Sequence, residues 1–517
     1  MSILSSLPLI RVAEIKVEGT PLPDVTFSSL AALVPEGTRH LVVEVNAAQT
    51  YTERRFCEVI LNGDTAAHYN RREFVASGST VTTTSTTNTD IAQGVDIPPS
   101  NAGYGGGYLL FPFAFRTDNL KLWQSMGSSL ETRLQRHAGA WESTAAVDSI
   151  TLRPWQNVPG GFNHWATGSI ITLYAVDEAL LATDRLPDTQ SKKFTFGTLP
   201  TDANHLILLM YLRSSHSVST RQGDRVYQEL NQDSASSNYP VQRFGGEGIA
   251  DAKIIDEFYN EKRVGWSTAA AAPAESFGNL VVMYPEYRST DFHKPWISQH
   301  AAYEDIFYPV SQENGRRRNT AALTRLHYFP GMGGESYLPG SIMSAYKSGT
   351  PAARHVVSAS GEASVTLQVP AGSVGLRAVV VARTNSSAEE DRLLIELNND
   401  TSAASYAIRR ASAKGELNIE GTHETMLQTD NEIGVIPGGG AEAGQYGCGA
   451  LSIIRHAETD RHKHILSLIG AASGRLALYG GRWKNTAAVT TVTFKPKAGT
   501  LFAAGSVFEL IVAADAL

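Results

Sequence analysis

The sequence predicts an all-β chain of three tandem antiparallel β-sandwiches of jelly-roll type. Three observations predict it. Val/Ile/Leu-rich runs are punctuated by Gly, Pro, Asn and Asp. Helical periodicity is weak, with ATDRL and IIDEFYNEKR read as short helices at most. A set of landmarks recurs three times in one order. The 517 residues are 42% hydrophobic and 18% charged, with 45 Gly, an ordinary globular composition with room for several cores.

The repeat carries most of the reading. LNGDTAAHY (61–69) returns as LNQDSASSNY (230–239) and LNNDTSAASY (397–406), placing Asn62, Asn231 and Asn398 169 and 167 residues apart (231 − 62 and 398 − 231). Upstream of each stands a proline-led run: VPEGTRHLVVEV, LPTDANHLILLMYL and VPAGSVGLRAVVVA. Downstream come RTDNLKLWQS, STDFHKPWIS and ETDRHKHILS, then STAAV, NTAAL and NTAAV. Each copy then has an extended segment ending in proline, SITLRP, TRLHYFP and TTVTFKP, and closes on GSIITLYAV, GSIMSAYKS or GSVFELIVA. Each unit is therefore a whole domain, with about eight strands expected in each. The boundaries are 12–177, 184–347 and 352–517 after an arm at 1–11, with short joins that keep the copies close. The middles diverge (76–90, 245–266, 411–434). Variable loops on a repeated scaffold suit contacts with different neighbours, or drift at an unconstrained surface.

Composition excludes several classes. The net charge of −7 argues against a nucleic-acid binder with a broad basic surface, and Arg316-Arg317-Arg318 is the one compact basic run. Two cysteines, Cys57 and Cys448, make neither a disulfide framework nor a zinc site, which fits synthesis in a reducing compartment. The N-terminal MSILSSLPLIRVAEI lacks a cationic start and a cleavage site, so it is not read as a secretory signal. No run approaches the ~18 apolar residues of a membrane span. A soluble chain assembled in the cytosol, with no membrane or nucleic-acid partner, is expected.

Candidate sites were weighed against plainer roles. Asn-Gly between strands favours a hairpin, because both residues accept positive φ. Calcium is the alternative, but each turn has one Asp and no neighbouring carboxylate cluster. Tyr69, Tyr239 and Tyr406 follow the turns, and each is soon followed by arginine: Arg71-Arg72, Arg243 and Arg409-Arg410. Such pairs can stack on a sugar or base; more commonly the Tyr packs on the sheet and the Arg binds backbone or a facing domain. These eight residues are the candidate interface set. His456, His462 and His464 invite a metal reading, yet His462 aligns with His293 and with Leu120, and a ligand shared by all copies would not become leucine. No nucleophile elbow, zinc-helix motif or phosphate loop is present, although glycosidase carboxylates need no motif. No enzyme activity, cofactor or metal is expected.

Two arrangements satisfy a threefold repeat with short joins: a closed pseudo-trimer, or an elongated row as in a fibre. The run LRAVVVARTNSSAEEDRLLIELNNDTSAASYAIRR (376–410) resembles segments of virion proteins of tailed bacteriophages, in which strand, Arg-Thr turn, strand and Asn-x-Asp…Tyr follow one another. GSIITLYAV and GSVFELIVA resemble the last strand of those modules, whereas VNAAQTYTERRF in the first copy departs from the Arg-Thr pattern. The resemblance implies a structural component on the outer surface of the head, assembled in the host cytoplasm. Its partners would be the major capsid protein, neighbouring virion proteins and further copies of itself. The expected contacts are the loops 76–103, 245–275 and 411–446 with the arm. The alternatives are a tail-fibre or baseplate protein, or a carbohydrate-binding module or enzyme, presenting Trp155, Trp165, Trp266 and Trp296 on exposed tips.

Overall fold

The computed structural model describes residues 7–515 apart from 78–79, 90–91, 130–132, 157–162, 186–188, 218–222, 248–252, 273–274, 303–309, 332–334, 415–421, 429 and 472–474. Parts of the expected arm and of all three contact loops therefore lie outside the described residues. In the first repeat the strands are β1 (Leu9–Lys16), β2 (Val25–Phe27), β3 (Leu41–Ala47), β4 (Arg55–Leu61), β5 (Tyr69–Ser77), β6 (Thr80–Thr89), β7 (Ala92–Ile97), β8 (Gly105–Phe111), β9 (Lys121–Ser129), β10 (Arg133–Trp141), β11 (Ile150–Pro154) and β12 (Ile170–Val176). They form one sheet in the order β1-β12-β3-β8-β9-β10-β5-β6 and a second in the order β2-β11-β4-β7. Adding 12 or 24 to each label gives the pairing of the other repeats. Those run from β13 (Leu181–Arg185) to β24 (Ile342–Lys347) and from β25 (Ala353–Val356) to β36 (Val507–Asp515).

This order is a jelly roll with an addition. Strands β1, β12, β3 and β8 make one four-stranded half, and β2, β11, β4 and β7 make the other. The strands β5-β6 and β9-β10 are inserted into that eight-strand plan and extend the first half sideways. The divergent middles of the repeats are thus strands: β6, β18 (Lys253–Asn260) and β30 (Thr422–Gln428). Two sequence expectations are corrected here. The described part of ATDRL, 182–185, falls on β13, and IIDEFYNEKR falls on β18 and the start of β19 (Arg263–Thr268) with a bend between them, none of these residues helical. Both β13 and β18 are edge strands with one neighbour, where little alternation is needed and the strand signal fades.

The strand that follows each entry proline is buried throughout in the first two copies and from Leu376 onward in the third. In β15 (Leu206–Leu212), Leu206, Leu208 and Met210 enter the core of their own sandwich, whereas Ile207 and Leu209 enter a cluster shared by all three repeats. The same split holds in β27 (Val374–Ala382), with Ala378 and Val380 on one side and Val379 and Val381 on the other. A sheet covered on both faces explains the unbroken apolar runs in the sequence. Among the described residues there are three private cores, one common core joining Val42 and Phe74 to Phe244 and Ile297 and to Leu466 and Leu478, and two smaller clusters between the first and second copies. The copies therefore form a closed body, and an elongated row does not describe them.

The repeated turn has one structure in all three copies. Asn62, Asn231 and Asn398 have φ of 52°, 53° and 52°, and the next residues, Gly63, Gln232 and Asn399, also have positive φ. These are left-handed conformations for which Asn and Gly are suited, but the expected hairpin is corrected: β4 pairs with β11 and β7 and β5 with β10 and β6, so the turn carries the chain from one sheet to the other. Each Asn side chain also staples a distant segment. Asn398 Oδ1 accepts from Thr490 N at 2.7 Å, and its Nδ2 donates to Ala488 O at 2.7 Å. Asn62 does the same to Asp148 and Ala146, and Asn231 to Thr324 and Ala322. The Asn-x-Asp and Thr-Ala-Ala landmarks are thus two halves of one clasp. Replacing Asn398 with Ala removes these bonds and places Cβ chemistry ill-suited to positive φ there. Urea unfolding should register a loss of about 3 kcal/mol, whereas Asn398→Gly, which relieves only the backbone cost, should lose less.

Candidate functional site: the seams between the copies

The turn fixes the three candidate tyrosines. Tyr69, Tyr239 and Tyr406 are fully buried. Each hydroxyl accepts from the last residue of the preceding strand (Leu61, Leu230, Leu397) and donates to the carbonyl of the turn aspartate (Asp64, Asp233, Asp400). Burial raises their phenol pKa values and leaves them no surface to offer a partner. Each aspartate also takes a donor from the far strand: Trp141 Nε1 at 2.7 Å, Arg317 Nε at 2.9 Å, and Trp483 Nε1 at 2.8 Å. With their donors already protein groups, these aspartates do the work of a turn and not of a calcium loop.

The arginines divide by face. Arg71 lies over the Phe56 ring at 5.6 Å, Arg243 over Trp266 at 5.3 Å with Nε on Ser311 Oγ at 3.2 Å, and Arg410 donates to Glu432 at 3.0 Å. These contacts are within a copy. Arg72 is buried and lines a small cavity with Ala301, Ala302 and Val310 of the second copy. Arg409 is buried in β29 (Tyr406–Lys414).

The contacts that close the body come from positions the sequence did not single out. After β8, β20 (Gly278–Tyr284) and β32 (Gly447–Ile454) the chain turns through Phe113, Glu286 and Arg455, all at positive φ (49°, 49°, 58°). Each of these equivalent residues reaches the next copy. Phe113 packs against Tyr211 at 5.6 Å, and Tyr211 stacks on Phe277 at 5.2 Å. Glu286 takes Arg354 at 3.0 Å; Arg354 also pairs with Glu509, which accepts from Asn204 at 2.8 Å and bonds His205 Nε2 at 2.7 Å. Arg455 meets Glu14 at 2.7 Å and Glu44 at 3.3 Å, and it also donates to Thr172. First to second, second to third, and third to first, the same position docks with apolar, mixed and ionic chemistry.

Neighbouring contacts repeat this cycle. Leu120 N donates to Glu275 O at 3.1 Å, and its counterpart His293 N donates to Gly444 O at 2.8 Å. At the third seam Arg461 lies over Tyr104 at 4.6 Å and donates to Asn46 and Gly168. Buried bonds Arg136–Gln312 at 2.6 Å and Ser128–His464 at 2.9 Å also tie the copies, and Arg316–Glu442 at 2.5 Å does so with its carboxylate exposed. Strands β1 and β36 pair in parallel, Ile10 with Ala514, and Arg11 Nε donates to Asp515 at 3.0 Å, which joins the large sheets of the first and third copies. Some of the expected loop contact residues, Ala102, Glu275, Glu442, Gly444 and Tyr446, are thus spent inside the molecule.

The histidines have protein partners. His456 Nε2 bonds Ser373 Oγ at 3.0 Å, His464 bonds Ser128, and His462 is exposed before β33 (Lys463–Gly470) begins. His205, Glu286 and Glu509 have ligand atoms within 4.8 Å of one another. However, His205 Nδ1 accepts from Glu286 N at 3.1 Å, its Nε2 is on Glu509, and Arg354 pairs with both carboxylates, so the cluster is a seam. The landmark lysines Lys121, Lys294 and Lys463 are buried and donate to turn carbonyls, with burial pushing each ammonium down to about 8. Of the tryptophans, Trp165 and Trp296 are fully buried and Trp266 nearly so, which removes them as exposed aromatic tips.

No family model matches the chain, and no curated protein matches it. Among solved structures, the LG1–3 region of the laminin α2 chain is 9% identical, covering 97% of this chain and 96% of that one at a TM-score of 0.15. Mouse laminin α1 domains LG4–5 are 9% identical, covering 64% and 91% at 0.15. The triple jelly roll of an archaeal virus turret is 7% identical, covering 98% and 92% at 0.14. Likenesses at such TM-scores carry no argument, and the jelly-roll description rests on the strand order.

Two outcomes follow from the seams. Glu509→Ala removes the partner of His205 Nε2 and Asn204 while Arg354 keeps Glu286, and denaturant unfolding should show a loss of about 2 kcal/mol. Burial pushes His137, His205 and His456 down to about 4 and His464 down to about 3. Between pH 6.5 and about 4 the unfolded chain binds protons that these imidazoles refuse when folded, so stability is lost on acidification through that window. Asp96 and Asp224, raised by burial to about 6, act in the opposite sense but are fewer. The thermal midpoint should therefore be lower at pH 4.5 than at pH 7.

Proposed function

We propose that the chain is a structural virion protein of a tailed phage that decorates the head as a covalent pseudo-trimer, bridging neighbouring major capsid subunits. The observation that carries this reading is the ring itself: three jelly rolls in one polypeptide, docked head to tail through equivalent positions. A threefold or quasi-threefold site on an icosahedral shell is complementary to such a body, and covalent linkage lets each copy meet a different subunit. The resemblance of residues 376–410 to tailed-phage virion segments supports the same reading. The stabilising effect would come from burying interface area across subunits that internal pressure pulls apart. The outward loops left over after the seams are formed would supply the contacts.

Purified chain added to expanded capsids lacking it should bind in saturable amounts and raise the temperature at which the shells open. A particle map should then show a three-lobed density on a threefold or quasi-threefold position. Recovery of the chain from tails alone, with no binding to heads, would overturn the proposal.

A further inference from the structure

The outward face of the four-stranded sheet differs in one copy. At equivalent cross-strand positions the first copy places Glu58 opposite Arg153, joined as an ion pair, and the third places Leu394 opposite Lys495, which pairs with Glu396 at 2.7 Å. In the second copy the same positions hold Tyr227 and Phe329, edge to face with ring centroids 5.9 Å apart. Lys262 caps Phe329 at 5.1 Å. A partly exposed aromatic pair thus stands in this copy where the first has an ion pair and the third a Leu–Lys pair.

Beside this pair lies an open groove of about 340 Å³, within the ~300–1,000 Å³ typical of ligand pockets. Tyr227 and Tyr259 line it with Arg225, Glu261, Lys262 and Ser236, the last on the rim formed by the repeated turn. Its cations are already balanced: Arg225 meets Glu261 at 2.8 Å and Lys262 meets Glu229 at 2.9 Å. There is thus no excess positive charge to select a phosphate. What the groove offers is partly exposed tyrosine rings beside donors and acceptors held at fixed spacing. That combination matches a sugar ring, whose C–H face packs on an aromatic and whose vicinal hydroxyls bond a carboxylate and a guanidinium together.

We infer that the second copy carries a carbohydrate-binding groove for a neutral oligosaccharide, built on Tyr227 and Tyr259. This inference does not rest on the capsid reading, and its failure leaves that reading untouched. Saturation-transfer NMR and titration calorimetry with maltohexaose, cellohexaose and chitohexaose test it. The ring protons of at least one oligosaccharide should receive saturation from the intact chain. Tyr227→Glu combined with Phe329→Arg installs the pair that the first copy already tolerates, and it should weaken binding about tenfold or more at unchanged thermal stability. Ser236→Trp, which fills the groove from its exposed rim, should do the same should the double variant fold poorly. Absence of saturation with all three sugars, or equal binding by the intact chain and Ser236→Trp, would overturn the assignment.

Discussion

In each copy one extended sheet separates two hydrophobic cores, and the three outer faces of those sheets make the common core. A sheet buried on both sides cannot be stable alone: its second face, including Ile207, Leu209, Phe244 and Val281 in the second copy, would be open to water. At ~25 cal/mol per Å², exposure of such a face would outweigh the few kcal/mol by which domains of this size are stable. The copies therefore depend on one another, and the closed arrangement follows from the apolar runs. The inserted strands β5-β6 and β9-β10 supply much of the extra width that lets the sheets meet.

A head-to-tail contact between like units either closes or propagates. Here it closes at three, and the seams differ so that each copy accepts one neighbour. Phe113 needs the aromatic pocket of Tyr211 and Phe277, whereas Arg455 needs Glu14 and Glu44. Exchange of these partners would bury Arg455 without a carboxylate, a cost of several kcal/mol. Distinct seam chemistry thus specifies the order of copies as well as their affinity, and it works against the pairing of one molecule's copies with another's.

The parts legible in the sequence were those repeated identically for a local reason. The Asn turn, the entry prolines, the buried lysines and the closing Gly-Ser strands each satisfy a backbone need inside one copy, so all three copies keep them. The seam residues could not be read that way. Phe113, Glu286 and Arg455 each stand four residues before the shared Thr-Asp landmark, but they have no side-chain chemistry in common, and only the fold reveals their positive φ and their contact with the next copy. The signal available was the failure of β3, β15 and β27 to alternate, which marks a second buried face without naming its partner. Edge strands β13 and β18 were lost because a strand with one neighbour carries little pattern.

The tyrosines show how a local device can set the assembly without touching it. Each repeated turn joins β4 of the small sheet to β5 of the large one, or their counterparts, at the point where the chain crosses to begin the inserted hairpin. Asn staples that crossing to the segment before β11, Asp holds the end of β10, and Tyr locks the turn from below. Three anchors on three strands leave the hairpin one direction of departure, and that direction carries Phe74 and Phe244 to within 5.0 Å of each other across copies. The motif therefore acts on the interface by fixing the angle at which the interface strands leave their own sandwich. A turn of this kind is retained in every copy because all three hairpins must converge, even where the residues that meet there differ.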